Sequence, residues 1–240
     1  MSRPLRSPHP DATIDDDRPP RALVESYAAM AHTFEQRPDD GVLRTLDVVL
    51  TVCAALPVAP LVTAVAVALW VRRDGPILYR GQRVGRGGEV FTMLKFRTLR
   101  PDAEQRLGPY LGVELTALTA GEMTGLGRVL RATKVDELPQ LWNVLRGDMS
   151  LVGPRPIRPA FFEQLAAEIP QYWQRLVVRP GLTGPAQLRL TRNMTWSEKL
   201  AHDMEWIADR SVVFYLSLLG QTVVHLLRRP FSRRARRTVA

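Results

Sequence analysis

The residues of this chain best suited to chemistry are two adjacent carboxylates, Asp136 and Glu137, with arginines nearby in sequence at Arg131 and Arg155. The spacing of Leu138, Leu141, Trp142 and Leu145 predicts a helix from Val135 to Gly147, with Pro139 in its first turn and Gly147 at its stop. That places the acidic pair at the helix N-terminus. Free N–H groups and the helix dipole there favour an ionised carboxylate and also attract phosphate. An ionised aspartate can accept a phosphoryl group, splitting one transfer into two through an acyl phosphate. An Asp-Glu dipeptide is more often a simple helix cap, so the pair needs supporting cations before chemistry is read into it.

Phosphoryl transfer depends chiefly on positioning and charge neutralisation, and the chain offers cations for both. Arg155 is locked between Pro154 and Pro156, whose fixed φ angles stiffen the segment. Its guanidinium reads as a phosphate fork or, more plainly, as a solvated loop residue. Lys95 and Arg97 share one face of a strand by the two-residue period, either turned to a ligand or forming a cationic edge. The run Arg179-Pro180-Gly181-Leu182-Thr183-Gly184 either wraps a phosphate with backbone N–H groups or is a turn. There is no P-loop, no dinucleotide GxGxxG after a strand, no GxSxG and no HExxH. The four histidines and the single cysteine, Cys53, are too scattered for a zinc site.

The elements that must position these residues begin with charge. A net +9 comes mostly from arginine, the only lysines being Lys95, Lys134 and Lys199, and it favours anionic partners. Nucleic acid is not expected as a partner, since no reader motif is present and aromatics are few. From Val48 to Val71 the chain runs 24 residues without a charge, enough helix to reach across a bilayer core of about 30 Å. Pro57 and Pro60 interrupt its middle, and arginines flank both ends, at Arg44 and at Arg72-Arg73. Two courses stay open: a kinked span, or a helix that bends and returns to the same face, each half about 18 Å long.

Beyond it, PILYRGQRVGRGGEVFTMLKFRTL reads as a β-hairpin, and Pro101 to Met123 as loop with helical pieces. Amphipathic segments follow at Phe161–Ile169, Tyr172–Leu176 and Ser211–Arg229. The last, with RRPFSRRARR after it, suits either an anionic membrane surface or a core position with a basic tail. Met1 to Arg21 holds little apolar surface and reads as disordered, Ala22–Phe34 as a short helix, and Arg37–Gly41 as a linker. No cleavable signal peptide is apparent.

The run VDELPQLWNVLRGDMSLVGPRP, Val135 to Pro156, resembles the signature of the bacterial sugar transferase family, the monotopic phosphoglycosyl transferases that initiate polysaccharide and glycoconjugate assembly. The resemblance extends from about Leu43 to Leu227, through a membrane helix broken at Ala59-Pro60, the GQRVG and KFRT segments, and Arg179 to Gln187. It implies an α+β, mostly helical monotopic membrane protein with a proline-broken re-entrant helix (43–73), a catalytic domain (74–229) carrying a small β-hairpin and interfacial amphipathic helices, an N-terminal tail (1–42) and a basic tail (230–240). The implied site is the cytoplasmic face of the bacterial inner membrane, in contact with membrane lipids; a homodimer is left open. The implied reaction is ping-pong and magnesium-dependent. Asp136 attacks the β-phosphate of a UDP-sugar, expels UMP and holds the sugar phosphate, which polyprenyl phosphate, in bacteria usually undecaprenyl phosphate, then takes up. Glu137 serves as Mg2+ ligand with Asp136, or as base. Arg131, Arg155, Lys95 and Arg97 are implied to lie near phosphates, with Arg179, Thr183 and Gln187 as further phosphate or nucleotide contacts. The chain departs from the family pattern at Lys134, at Pro185, at Arg189-Leu190-Thr191-Arg192 and at Tyr215. Those departures motivate an alternative, a catalytically inactive membrane scaffold of the same fold.

Overall fold

The computed structural model describes residues 37–235 apart from 74, 102, 104, 105, 107–112 and 190–193, with 113–117 and 229–235 described by backbone course alone. The expected N-terminal tail with its Ala22–Phe34 helix, and the last residues of the basic tail, lie outside the described residues. Helix α1 (Asp39–Arg72) leads into strands β1 (Leu78–Val84) and β2 (Val90–Phe96), helices α2 (Val113–Glu122) and α3 (Gly125–Thr133), a 3-10 turn over Val135–Glu137, helix α4 (Gln140–Arg146) and strand β3 (Ser150–Val152). Then come α5 (Pro159–Glu168), a 3-10 helix over Pro170–Val177, β4 (Gly181–Thr183), α6 (Pro185–Leu188), α7 (Trp196–Ala208) and α8 (Val212–Ala235).

Helix α1 is the one described helix long and apolar enough to cross a membrane, and only 11% of its most apolar stretch is covered by the rest of the protein. It begins earlier than the composition implies. Asp39 and Asp40, read from sequence as linker, occupy its first turn, where acid complements the dipole, and Asp40 accepts the Arg37 N–H at 3.0 Å. It continues through Pro57 and Pro60 as one helix of 34 residues. Its buried residues fall in two groups, Leu43, Asp47 and Thr51 near the start and Val65 and Leu69 near the end. Arg44 binds the α4 carboxyl end, donating to Val144 O at 2.6 Å and Leu145 O at 2.9 Å. Asp47 accepts from Ser150 Oγ, the Leu151 N–H and Tyr215 Oη, each at 2.9 Å, and so ties α1 to β3 and α8. At the far end Val65 and Leu69 join Phe96 and Leu130 in an apolar cluster.

The expected hairpin is present, β1 and β2 pairing antiparallel from Leu78↔Phe96 to Val84↔Val90. Its turn needs glycine at Gly87 (φ 69°) and Gly88 (φ 83°), both left-handed. A second, parallel pair joins β3 to β4, with Ser150 opposite Gly181 and Val152 opposite Thr183. Strands of three residues carry too little periodicity to be read from sequence. At their end a Cβ on Gly181 would collide with the backbone of Gly153, so this approach requires glycine.

Helix α4 turns Trp142 out of its expected apolar face, while Leu138, Leu141 and Leu145 stay half-buried. Trp142, placed by periodicity on the apolar inner face, is 57% exposed, and the buried residues are Gln140, Asn143 and Val144. The reason is Asn143, whose Nδ2 donates to Thr92 O at 2.8 Å and Asp148 Oδ2 at 3.0 Å while its Oδ1 accepts the Leu94 N–H at 3.0 Å. An amide that satisfies both a donor and an acceptor of β2 outweighs the burial of one indole face, because an orphaned backbone group costs about 1–3 kcal/mol. This stitching sets α4 and its preceding turn against the strand that carries Lys95.

Candidate active site

The acidic pair lies in the 3-10 turn between α3 and α4 rather than in the first turn of an α-helix. Helix α3 stops at Lys134, whose left-handed conformation (φ 63°) redirects the chain into that turn. Asp136 is buried and its Oδ1 has no hydrogen-bond partner among the described residues. Glu137 is the opposite. Its Oε1 gathers Arg155 Nη2 at 3.0 Å, Lys134 Nζ at 3.1 Å and Lys95 Nζ at 3.4 Å. These cations come from the loop after β3, the turn itself and strand β2, so three separate elements converge on one oxygen.

The electrostatics divide the pair. Burial pushes the Asp136 carboxyl above its ordinary range and the Glu137 charge adds to this, against Lys95, Lys134 and Arg131. Burial also acts to raise Glu137, but Arg155, Lys95 and Lys134 overcome it and hold that carboxyl far below its ordinary range. Burial, aided by the Arg155 charge, brings Lys95 down to about 8 despite Glu137 and Asp136. The sequence-based expectation that a helix terminus keeps Asp136 readily ionised is therefore corrected: loss of water governs its proton affinity. Adjacent carboxylates pushed in opposite directions mark a division of roles.

Of the other residues singled out from sequence, Arg131 lies near enough to lower the proton affinity of Asp136, and its Nε donates to Thr98 Oγ1 at 2.9 Å. Gln187 reaches the site through Arg155, whose Nη1 donates to its Oε1 at 3.1 Å. Arg97 does not join Lys95: β2 ends at Phe96, and the buried Arg97 guanidinium lies against Gly75, near the end of α1. Arg179 instead donates to Gly147 O at 2.8 Å, beside Arg44 and Arg86, and Thr183 shares a 2.7 Å hydrogen bond with Thr222 of α8. Both stabilise the frame. Ala59 and Pro60 are exposed within α1.

Two residues were missed. Lys134 was noted only as a departure from the family pattern, yet it stands three residues before Glu137 and pairs with it. Gln140, the first residue of α4, is buried with its Nε2 unpartnered among the described residues. The departures at Tyr215 and Pro185 lie elsewhere, Tyr215 on Asp47 and Pro185 buried at the start of α6. No group of three or more His, Cys, Asp or Glu that could hold a metal gathers among the described residues. Two carboxylates, one with an unpartnered oxygen, are the donor set that suits Mg2+, which keeps several waters and takes phosphate oxygens.

A buried carboxylate with an unpartnered oxygen beside a cation-ringed one, on a domain docked to a long apolar helix, suits a membrane-associated protein that meets an anionic ligand such as phosphate. The chain belongs to the bacterial sugar transferase family, whose sequence model matches residues 39–229. It is 40% identical over 191 residues to the UDP-glucose:undecaprenyl-phosphate glucose-1-phosphate transferase of Caulobacter vibrioides, covering 77% of this chain and 69% of that one. It is 39% identical over 187 residues to the UDP-N-acetylgalactosamine-undecaprenyl-phosphate N-acetylgalactosaminephosphotransferase of Aeromonas hydrophila, covering 77% of this chain and 43% of that one. The exopolysaccharide production protein PSS of Rhizobium leguminosarum is 36% identical over 197 residues, with 78% of this chain and 95% of that protein covered.

Proposed function

We propose that this protein transfers a sugar 1-phosphate from a UDP-sugar to undecaprenyl phosphate through a covalent intermediate on Asp136. The observation that carries the reading is the contrast within the acidic pair. Asp136 offers a buried oxygen with no partner, while Glu137 is kept ionised by three cations. In the first step an Asp136 oxygen bonds to the β-phosphorus as the bond from that phosphorus to the oxygen shared with the α-phosphate breaks, and UMP leaves. In the second, a phosphate oxygen of undecaprenyl phosphate bonds to the same phosphorus, the acyl-phosphate bond breaks and the Asp136 carboxylate returns. Desolvation makes Asp136 a stronger nucleophile than a solvated carboxylate, and Lys95, Lys134, Arg131 and Arg155 supply positive charge where phosphate charge collects.

The low proton affinity of Glu137 makes it a poor base, so its role in this reading is to hold the cations in place and to share Mg2+ with Asp136. When bound, the ion neutralises diphosphate charge. The relatives named for undecaprenyl phosphate acceptors and UDP-sugar donors support the substrate class. Both ends of α1 pack on one folded domain while its middle, with Pro57 and Pro60, is exposed. In this reading α1 bends at the prolines within its continuous run, dips into one leaflet and returns, and the catalytic domain lies at the cytoplasmic face of the inner membrane. Exposed Trp142 and the apolar residues Val213, Leu216 and Leu227 of α8 would rest on lipid.

The test is UMP release by purified protein given undecaprenyl phosphate, Mg2+ and a panel of UDP-sugars. Release with at least one sugar is expected. Silence across the panel with a folded, membrane-reconstituted protein would favour the inactive scaffold.

A further inference from the structure

Arg155 reaches Glu137 from a segment that is held almost residue by residue. The Gly153 N–H donates to Thr183 O at 2.8 Å, Pro154 O accepts the Gly181 N–H at 2.8 Å, and Ile157 O accepts the Val84 N–H at 3.0 Å. Those three contacts are backbone to backbone. The fourth is not: Arg155 O accepts from Arg175 Nη2 at 2.9 Å. Arg175 is buried, and it also donates to Asp203 Oδ2 through Nε at 2.8 Å and to Tyr172 Oη through Nη1 at 2.8 Å. Its guanidinium also lies 4.9 Å from the Tyr172 ring centroid.

A buried ion pair is a poor device for stability alone, because its desolvation roughly cancels its attraction and apolar replacements are often as stable. Here the cost is visible, since Asp203 Oδ1 has no hydrogen-bond partner among the described residues. What the pair does achieve is geometric. Asp203 and Tyr172 fix the guanidinium plane, and the plane presents one N–H to the carbonyl of the residue whose side chain bridges Glu137 and Gln187. The Arg155 side chain is 45% exposed, so its hold on Glu137 rests on Gln187 at its other terminal nitrogen and on a fixed backbone beneath it. A misplacement of about 1 Å at such a position costs roughly 100-fold in rate.

We propose that Arg175, oriented by Asp203 and Tyr172, is a positioning residue for the transfer reaction, acting through the Arg155 backbone. The inference rests on the reaction proposed above for its kinetic readout. It goes beyond it in assigning a task to an ion pair that touches neither carboxylate of the site.

A double-mutant cycle on the full chain in lipid nanodiscs tests it. Arg175→Lys keeps the charge opposite Asp203, but its donors sit on a single nitrogen and do not span the three acceptors that the planar guanidinium reaches. It is expected to lower kcat for UMP release about tenfold or more, with a smaller change in KM. In an Arg155→Gln background the same substitution should cost less than about twofold, because the residue it acts through is gone. Thermal unfolding should shift equally in both backgrounds. Asp203→Asn, which keeps an acceptor for Arg175, serves as the second variant should Arg175→Lys fold poorly, with the same pattern expected. A readout independent of turnover is the order of the Arg155 guanidinium by side-chain NMR: Arg175→Lys should loosen it, because the Arg155 carbonyl loses its buried donor. Equal losses of kcat in both backgrounds, or an Arg155 guanidinium as ordered as in the wild type, would overturn the positioning role. Wild-type protein inert towards every UDP-sugar would instead overturn the proposed reaction and leave the Arg155 side-chain order to decide this inference.

Discussion

Asp47 and Asp136 are both buried, 2% and 5% exposed, and are treated in opposite ways. Asp47 Oδ1 accepts three hydrogen bonds from β3 and α8. Asp136 Oδ1 accepts none from the described residues. Buried polar atoms are almost always paired, so an unpaired one asks for a reason. Asp47 is a joint, finished within the fold, that fastens the apolar helix to the folded domain. Asp136 is unfinished, and its completion is assigned above to a ligand. The comparison teaches that burial of a carboxylate says little by itself; what decides its role is whether the fold supplies its partners.

Four substitutions can break or sharpen that contrast. Asp136→Asn should lower UMP release by about 10⁴-fold or more, as loss of a covalent nucleophile does, with little change in thermal unfolding. Near-normal turnover in this variant would remove Asp136 from the nucleophile's role. Glu137→Gln deprives three cations of their shared counter-charge, and a loss in kcat of roughly 100-fold is expected. Asp47→Ala should show the reverse profile. It leaves Leu151 N–H, Ser150 Oγ and Tyr215 Oη without their acceptor, costing about 3 kcal/mol of stability while rate per folded molecule stays within a fewfold. Calorimetry alongside UMP release separates the two, and a severe rate loss without destabilisation would make Asp47 part of the chemistry.

Lys95→Arg is the mildest. With its pKa brought down to about 8, Lys95 loses charge as pH rises through that value, and wild-type activity should decline there. Arginine stays charged, so the variant should hold its activity to higher pH, with little difference at pH 7. The decline is not unfolding. A lysine whose pKa falls on folding opposes the folded state while charged, below about 8, and that penalty fades as pH rises towards the ordinary lysine value. A pH–rate profile and a pH–stability profile with opposite slopes are expected.

Much of this was legible from residue types and spacing. The hairpin declared itself by glycines between two alternating runs, the apolar helix by its uncharged length, and the site by Asp136-Glu137 followed by a proline-locked Arg155. Three things were not legible. Periodicity finds an apolar stripe on α4 but cannot foresee that Asn143 completes the hydrogen bonding of β2 and leaves Trp142 at the exposed edge of that stripe. The two-residue period joins Lys95 with Arg97, but the strand stops between them, and only Lys95 meets Glu137. The cations Arg179 and Arg155 look alike in sequence, each beside proline; one caps a helix carbonyl and the other reaches the acidic pair, a difference set by parallel pairing of β3 and β4.

The most direct measurement is intact-protein and peptide mass spectrometry after incubation with Mg2+ and the turned-over UDP-sugar, in the absence of acceptor lipid. A gain of one sugar phosphate on the peptide bearing Asp136, discharged on adding undecaprenyl phosphate and absent in Asp136→Asn, is the predicted result. An adduct on another residue, or UMP release that requires both substrates together with no adduct formed, would contradict the assignment of the unpartnered carboxylate as nucleophile.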